Sequence, residues 1–231
     1  MENNMAKKKL VIFGIGKIGQ VVHHHFATDS DFDIVGFTTD TAYVPQDKHF
    51  SGLPVVDFAE VEKHFAPKDH TLFVAIGYQG MNRIRAERLA ASKQKGYATT
   101  SYISSQNKHH TGIKIGENCF IMSGEPLQPC TEIGDNNFIW TNALVGHHTK
   151  VGNHCWITSG VTIGGNCRIG DYGFFGLGAT IGHEVTIGEK NLIGANALVT
   201  KDTAAEGVYI AADTERFRLT SSQFMKMTVM K

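Results

Sequence analysis

Two stretches of this chain carry residues that could do chemistry. The first is Gly14-x-Gly16-x-x-Gly19, set between the apolar run Leu10-Val-Ile-Phe13 and a helix-like segment reaching about Ala27. Glycines at this spacing let backbone approach a phosphate closely, and the N-terminus of the following helix favours negative charge. Asp40 follows Gly19 by 21 residues, just past the apolar run Phe32–Phe37, where a carboxylate can accept a ribose hydroxyl. The second stretch is Val145-Gly-His147-His148-Thr-Lys150, an adjacent histidine pair in a chain with 12 histidines. Imidazole is the side chain best suited to take and return a proton near neutral pH. A further cluster, His23-His24-His25, reads as a partly solvated helix face.

The elements that must position these residues follow two different patterns. Up to residue 102, apolar runs alternate with helical segments: strands at Leu10–Phe13, Phe32–Phe37, Leu53–Val56 and His70–Ile76, with helices after Gly19, over Asp57–Phe65 and over Met81–Lys95. Asp57, with Glu60 three residues on, has the form of a helix start. Alternation of this kind predicts a small parallel sheet flanked by helices, a Rossmann-like α/β domain over residues 6–102.

From Ile103 a period of six takes over and holds to Val199 (Ile103, His109, Ile115, Ile121 and onward). Sixteen of its seventeen first positions are large and apolar, His109 being the exception, and ten are followed by glycine. No helix or hairpin repeats every six residues, so the period predicts a parallel β-helix built from hexapeptides over 103–204. Each hexad makes a short strand and a corner, three hexads close a coil, and each inward residue stacks on the one eighteen positions later. Glycine in second place suits tight backbone at the corner. The fifth place holds small residues, among them Cys119, Cys155 and Cys167, which accounts for three of the four cysteines without any chemistry. The open ends of such a prism need covering; residues 205–231 are expected to cap one end and the α/β domain the other.

Composition sets the outer limits. In 231 residues, 22 basic side chains balance 22 acidic ones, hydrophobic residues make up 42% and charged residues 19%. That describes an ordinary globular chain and argues against a nucleic-acid binder, which needs a basic face. No run of eighteen apolar residues predicts a membrane span. The polar start and the absence of paired Cys-x-x-Cys spacing point to a cytoplasmic protein without disulfides or bound metal.

A small Rossmann-like domain followed by hexapeptide coils resembles the bacterial nucleotide-sugar acetyltransferases, namely the bacillosamine and perosamine N-acetyltransferases and the related sialic acid O-acetyltransferases. The resemblance covers nearly the whole chain. It implies a left-handed β-helix, a homotrimer, and acetyl transfer from acetyl-CoA, bound in a groove between subunits, to a sugar nucleotide held on the N-terminal domain. Family members read apolar-x-His-(Glu/Asp), which puts the catalytic general base on His147 and leaves His148 where the carboxylate stands. The match assigns Trp156, Gly165, Leu177 and Ala195 to the acyl-CoA site. It assigns Gly14, Gly16, Ile18, Gly19, Thr39, Asp40, Gly77 and Arg83, with Asn82 beside it, to the sugar nucleotide. Direct attack needs no acylated side chain, and a backbone N–H of the coil is expected to hold the oxyanion. The chain departs from the family at Ile18, often histidine, at Thr39, often acidic, and at Ile210–Phe217, which replaces Gly-x-Pro-Ala-Lys. Lys201, Arg216 and Arg218 read as solvated surface.

Three alternatives stay open at this level. A hydroxyl acceptor would make the protein a sugar O-acetyltransferase. His147 and His183, 36 residues apart, resemble the zinc pair of gamma-type carbonic anhydrases, although Gly188 stands where the third histidine belongs. A non-catalytic scaffold that senses a sugar nucleotide would explain the missing carboxylate.

Overall fold

The computed structural model describes residues 8–107, 111–124 and 126–228. Residues 6 and 7, assigned above to the first domain, His109 of the hexad series and the last three residues lie outside the described residues.

The first domain is a six-stranded sheet with helices packed on it. Strands β1 (Lys8–Phe13), β2 (Phe32–Thr39), β3 (His49–Phe50), β4 (Leu53–Asp57), β5 (His70–Val74) and β6 (Ala98–Thr99) lie in the order β3-β4-β2-β1-β5-β6. All neighbours are parallel except β3 with β4. Helix α1 (Lys17–Thr28) follows the glycine turn and α3 (Arg83–Gln94) follows β5. Between β4 and β5, Asp57 caps a 3-10 turn (Phe58–Glu60) by accepting from the Ala59 N–H, and the four-residue helix α2 (Val61–His64) follows. Glu60 does not close a capping box; it pairs with Lys63. Helix α3 starts two residues later than expected, because Met81 and Asn82 take positive φ.

The second domain is a left-handed parallel β-helix. Its two-residue strands stack into three flat sheets, with partners such as Ile133 and Val151, or Ile163 and Ile181, eighteen residues apart. The interior is the row of first-position residues together with the fifth-position ones, Cys119, Ala143, Cys155, Val161, Cys167 and Ala179. Burial raises the thiols of Cys119 and Cys155 to about 12, which makes them inert filling. Cys130 is exposed at a corner, and all four cysteines are free.

The reason for glycine in second place is spacing rather than dihedral freedom. A Cβ on Gly146 would sit 2.5 Å from the Gly165 nitrogen of the next coil, and one on Gly176 would sit 2.5 Å from the Ala195 nitrogen. The positive φ falls instead on the fourth place, where Asn118, Asn136, Asn142, His148, His154 and Asn166 stand. Asparagine tolerates this region best among residues with a side chain.

Two expectations about the ends need correction. Pairing runs past 204, because Thr203 bridges Ile187 and Val208–Tyr209 pairs with Leu192–Ile193; the backbone donors of the last rung would otherwise be lost. Val208–Tyr209 thus covers the last rung, with Tyr209 packed on the prism core, whereas residues 210–218 and 220–227, including the described side chains of helix α4 (Ser221–Thr228), are exposed. The α/β domain also does not close an end. It lies against the flank of the seven-stranded sheet, where Tyr102, Phe120, Phe138 and Trp156 form an outward aromatic ladder packed under Phe26, Phe73 and Ala75. Aromatic rows offer more apolar area there than the narrow prism end could.

Arg85 locks this contact. Its guanidinium is fully buried, donates to the carbonyls of Ile76 and Gly77 on one side and of Asn136, His154 and Cys155 on the other, and lies 4.8 Å from the Phe138 ring centre. Burial pulls its pKa down to about 9, so it stays charged at neutral pH. Arg85→Met keeps the volume and deletes the donors, leaving buried carbonyls unpaired. It should lower unfolding stability by about 2 kcal/mol or more in urea titration; an unchanged midpoint would show that the guanidinium contributes nothing net.

Beside it, His154 Nδ1 accepts from Asn136 Nδ2 at 2.9 Å. Burial, then the Arg85 charge, pull the His154 pKa below its usual 6.5. The unfolded chain therefore binds a proton that the folded chain refuses, and stability falls as pH drops below about 6.5. His154→Asn suits the positive φ and can keep the bond to Asn136, as Asn136 does with Asn118. Melting curves of this variant should lose less stability between pH 7 and 5.5 than wild type does.

Candidate active site

The glycine turn opens a cleft of about 630 Å³ at the C-terminal ends of β1, β2 and β5. Gly14, Gly16, Ile18, Thr39, Asp40 and Gly77 all line it, together with Lys17, Tyr43 and Gln79. The three glycines divide the work. Gly14 takes φ +118° and lies against Ala75; Gly16 faces open space; Gly19 is buried behind, where a Cβ would strike the Gly14 carbonyl oxygen. That leaves the start of α1 facing the cleft with no side chain in the way at Gly16. Asp40 is held by Arg88, whose Nε lies 3.1 Å from its carboxylate. The sequence reading missed Arg88, since nothing local distinguishes it from the other arginines of α3.

Arg83 is not part of this cleft. It is exposed, pairs with Glu87 one turn on, and faces a separate groove with Lys93, Asp135 and His154. Its neighbour Asn82 is buried, accepting from Arg85 and donating to the Gly173 carbonyl. The positive φ at residues 81 and 82 turns α3 so that Arg85, not Arg83, faces the protein.

The histidine pair lies at the prism corner opposite the domain-covered sheet, between the strands Leu144–Val145 and Lys150–Val151. His148 has φ +59°, which folds its ring back beside His147 with the two Nδ1 atoms 3.2 Å apart. Both side chains are exposed. The His147 N–H donates to Gln128 Oε1. Its ring lies over Gly165: a Cβ there would be 2.8 Å from ring atoms Cε1 and Nε2. On the next coil, His183 Nδ1 accepts from the Gly165 N–H at 3.0 Å.

The remaining assigned residues are dispersed. Trp156 is not at this corner; it is 3% exposed, stacked on Phe138 at 4.9 Å in the domain contact. Its sixth place in the hexad points it outward on the sheet that the α/β domain covers. Leu177 and Ala195 lie one coil apart on the other edge of the four-stranded sheet, Leu177 being well exposed. Gly165 alone of the acyl-CoA set lies with the histidines. Among the described residues no cluster of three or more His, Cys, Asp or Glu side chains could hold a metal, and His183 Nδ1 is already used by a backbone N–H.

Comparison with known proteins bears on the fold. Residues 9–90 match the PglD N-terminal domain family. The acetyltransferase domain of PglB from Neisseria gonorrhoeae is 23% identical over 87% of this chain and 95% of its own, with a TM-score of 0.74. PerB from Caulobacter crescentus, solved with CoA and GDP-perosamine, is 25% identical over 87% of this chain and 92% of its own, with a TM-score of 0.73. The chain has the fold of these sugar acetyltransferases. WeeI from Acinetobacter baumannii shares it at 19% identity and a TM-score of 0.62, over 86% of this chain and 94% of that one. Curated protein sequences gave no match.

The glycine roles are directly testable. Gly19→Ala should lower the melting temperature markedly, because its Cβ meets backbone. Gly16→Ala, which meets nothing within 4 Å, should leave it nearly unchanged. Equal effects would refute this division of roles.

Proposed function

We propose that this chain is an acetyl-CoA-dependent acyltransferase that acetylates an amino group of a nucleotide-linked sugar, with His147 as general base. The observation that carries the reading is the Nδ1–Nδ1 contact of His147 and His148 at 3.2 Å on an exposed coil corner. Two such nitrogens share one proton. With that proton on His147 Nδ1, donated to His148, His147 Nε2 is left with its lone pair free, so His148 does the orienting work of the absent carboxylate. The fold shared with PglB and PerB supports the same chemistry, as do the CoA and GDP-perosamine named for PerB.

In this reading the amine nitrogen attacks the thioester carbonyl and passes its proton to His147 Nε2. The new C–N bond forms, the C–S bond breaks, and the proton returns to the departing thiolate. The sugar nucleotide occupies the Gly14–Gly19 cleft, its phosphates at the α1 N-terminus and its ribose at Asp40. That cleft lies beside the aromatic sheet, whereas His147 is at the opposite corner of the same prism. One chain therefore cannot bring the two together. A homotrimer in which the cleft of one chain faces the corner of its neighbour can, and it also sets Leu177 and Ala195 of one chain across from His147 and Gly165 of the next. The four free cysteines suit the reducing cytoplasm, where we place the enzyme.

Thiol release from acetyl-CoA should appear with one member of a panel of nucleotide-linked amino- and deoxysugars. His147→Ala should reduce it by about a hundredfold or more. His148→Ala should lose about tenfold or more, and His148→Asp, tolerated at positive φ, should recover most of it. Release with only hydroxyl-bearing sugars would make the enzyme an O-acetyltransferase. An unimpaired His147→Ala would remove the base.

A further inference from the structure

We infer that Arg88 is a positioning residue that keeps the Asp40 carboxylate turned into the glycine cleft, where it selects a ribonucleoside diphosphate over the 2′-deoxy form. This deepens the sugar-nucleotide reading of the cleft and rests on it.

The inference begins with two aspartates in one backbone setting. Asp40 and Asp57 stand at the ends of the neighbouring parallel strands β2 and β4, and each precedes a three-residue 3-10 turn, Thr41–Tyr43 or Phe58–Glu60. Their dihedrals nearly agree, with φ −62° and ψ 148° at Asp40 against φ −64° and ψ 131° at Asp57. An aspartate so placed can accept from the N–H two residues on. Asp57 does so, taking the Ala59 N–H at 2.9 Å. Asp40 makes no such cap. Its own turn offers it the Ala42 N–H, and it does not take it.

What holds Asp40 instead comes from 48 residues away. The Arg88 Nε–H is directed at its carboxylate and lies 3.1 Å from either oxygen. Arg88 stands one helical turn beyond Ile84, which lines the cleft. Both are on α3, which follows β5, two strands from β2 in the sheet. The pair therefore ties one side of the cleft to the other. The two side chains are 32% and 33% exposed, so a ligand can still reach the carboxylate. A carboxylate accepts at about four positions, and one N–H shared between its oxygens leaves others open to a hydroxyl.

Two consequences follow for a nucleotide in the cleft. With its phosphates at the start of α1, beyond β1, its ribose lies over the adjacent β2, where Asp40 accepts from the 2′-hydroxyl. A 2′-deoxyribose leaves that acceptor unused. Arg88 also offsets the charge of a carboxylate that, unpaired, would repel the diphosphate. Without Arg88 the side chain is free to turn onto the Ala42 N–H, as Asp57 turns onto Ala59, and the ribose hydroxyl loses its acceptor.

Calorimetric titration of the full chain tests this without any acyl transfer. The probes are uridine, cytidine, guanosine and adenosine diphosphates, their 2′-deoxy counterparts and thymidine diphosphate. Wild type should bind one ribonucleoside diphosphate about tenfold or more tighter than its 2′-deoxy form. Arg88→Met keeps the stem and removes the N–H; it should bring the two forms within about threefold of each other, chiefly by weakening the ribose form. Arg88→Lys restores a cation and should recover part of the preference. Arg88→Met combined with Asp40→Asn should bind no worse than Arg88→Met alone, because Arg88 acts through Asp40. All of these variants should melt within a few degrees of wild type, since a partly exposed ion pair contributes little to stability.

An Arg88→Met variant that keeps the full preference overturns the inference. So does a further loss in the double variant, which would put Arg88 on the ligand itself. A wild type that binds a 2′-deoxy form or thymidine diphosphate as tightly as any ribose form overturns the choice of substrate class. A wild type that binds no nucleoside diphosphate sinks the reading of the cleft and this role with it.

Discussion

The step of about 4.8 Å from one coil to the next is the constraint from which the rest of this protein follows. It leaves no room for a Cβ in second place, where Gly146 and Gly176 stand against the backbone of the following coil. It forces a left-handed residue at fourth place and so decides how His148 folds back on His147. It also sets the third-place N–H of Glu117, Asp135, Asn153 and Gly165 under a side chain of the next coil, His183 in the case of Gly165. The histidine corner is thus the ordinary corner of the repeat with its usual residues exchanged: glycine at 165 and imidazole where aspartate or asparagine serve elsewhere.

The contact between the two domains obeys different physics. The aromatic ladder brings large apolar area, but flat rings can slide on one another and define no register. Arg85 supplies the directionality. Its fork engages the loop at the end of β5 and two successive coils of the prism at once. Among the described residues no carboxylate pairs with it. Carbonyl dipoles and ring faces hold the charge instead, and burial lowers its pKa to about 9. The loop it grips is the rim of the glycine cleft, so the same group that joins the domains also fixes the shape of that cleft.

Much of the fold was legible because it repeats. A hydrophobic residue every sixth place has one architectural solution, and the glycine turn between β1 and α1 has a mechanism for each of its glycines. The adjacent histidines could be found for the same reason: any outward residue of a regular coil has a known corner. The failures share a cause too. Trp156 and Arg85 carry the grammar of an exposed strand residue and an exposed helix residue, and both are buried, because the surface that covers each comes from the other domain. Arg83 looked the better candidate since the two positive-φ residues before it, which rotate the helix, leave no mark in composition.

The two-part organisation, the coil period, the interior of the prism and the residue types at its corners are all readable along the chain. These depend on local periodicity, and local periodicity is written in the chain. That the α/β domain lies on the flank and not over the end emerges only from the folded molecule. It alone also showed that His148 stands beside His147, that the Gly165 N–H is spent on His183, and that cleft and histidine corner lie on opposite sides of one prism. Those outcomes turn on which surfaces meet and which donors are already satisfied, quantities that exist only once segments distant in sequence are brought together.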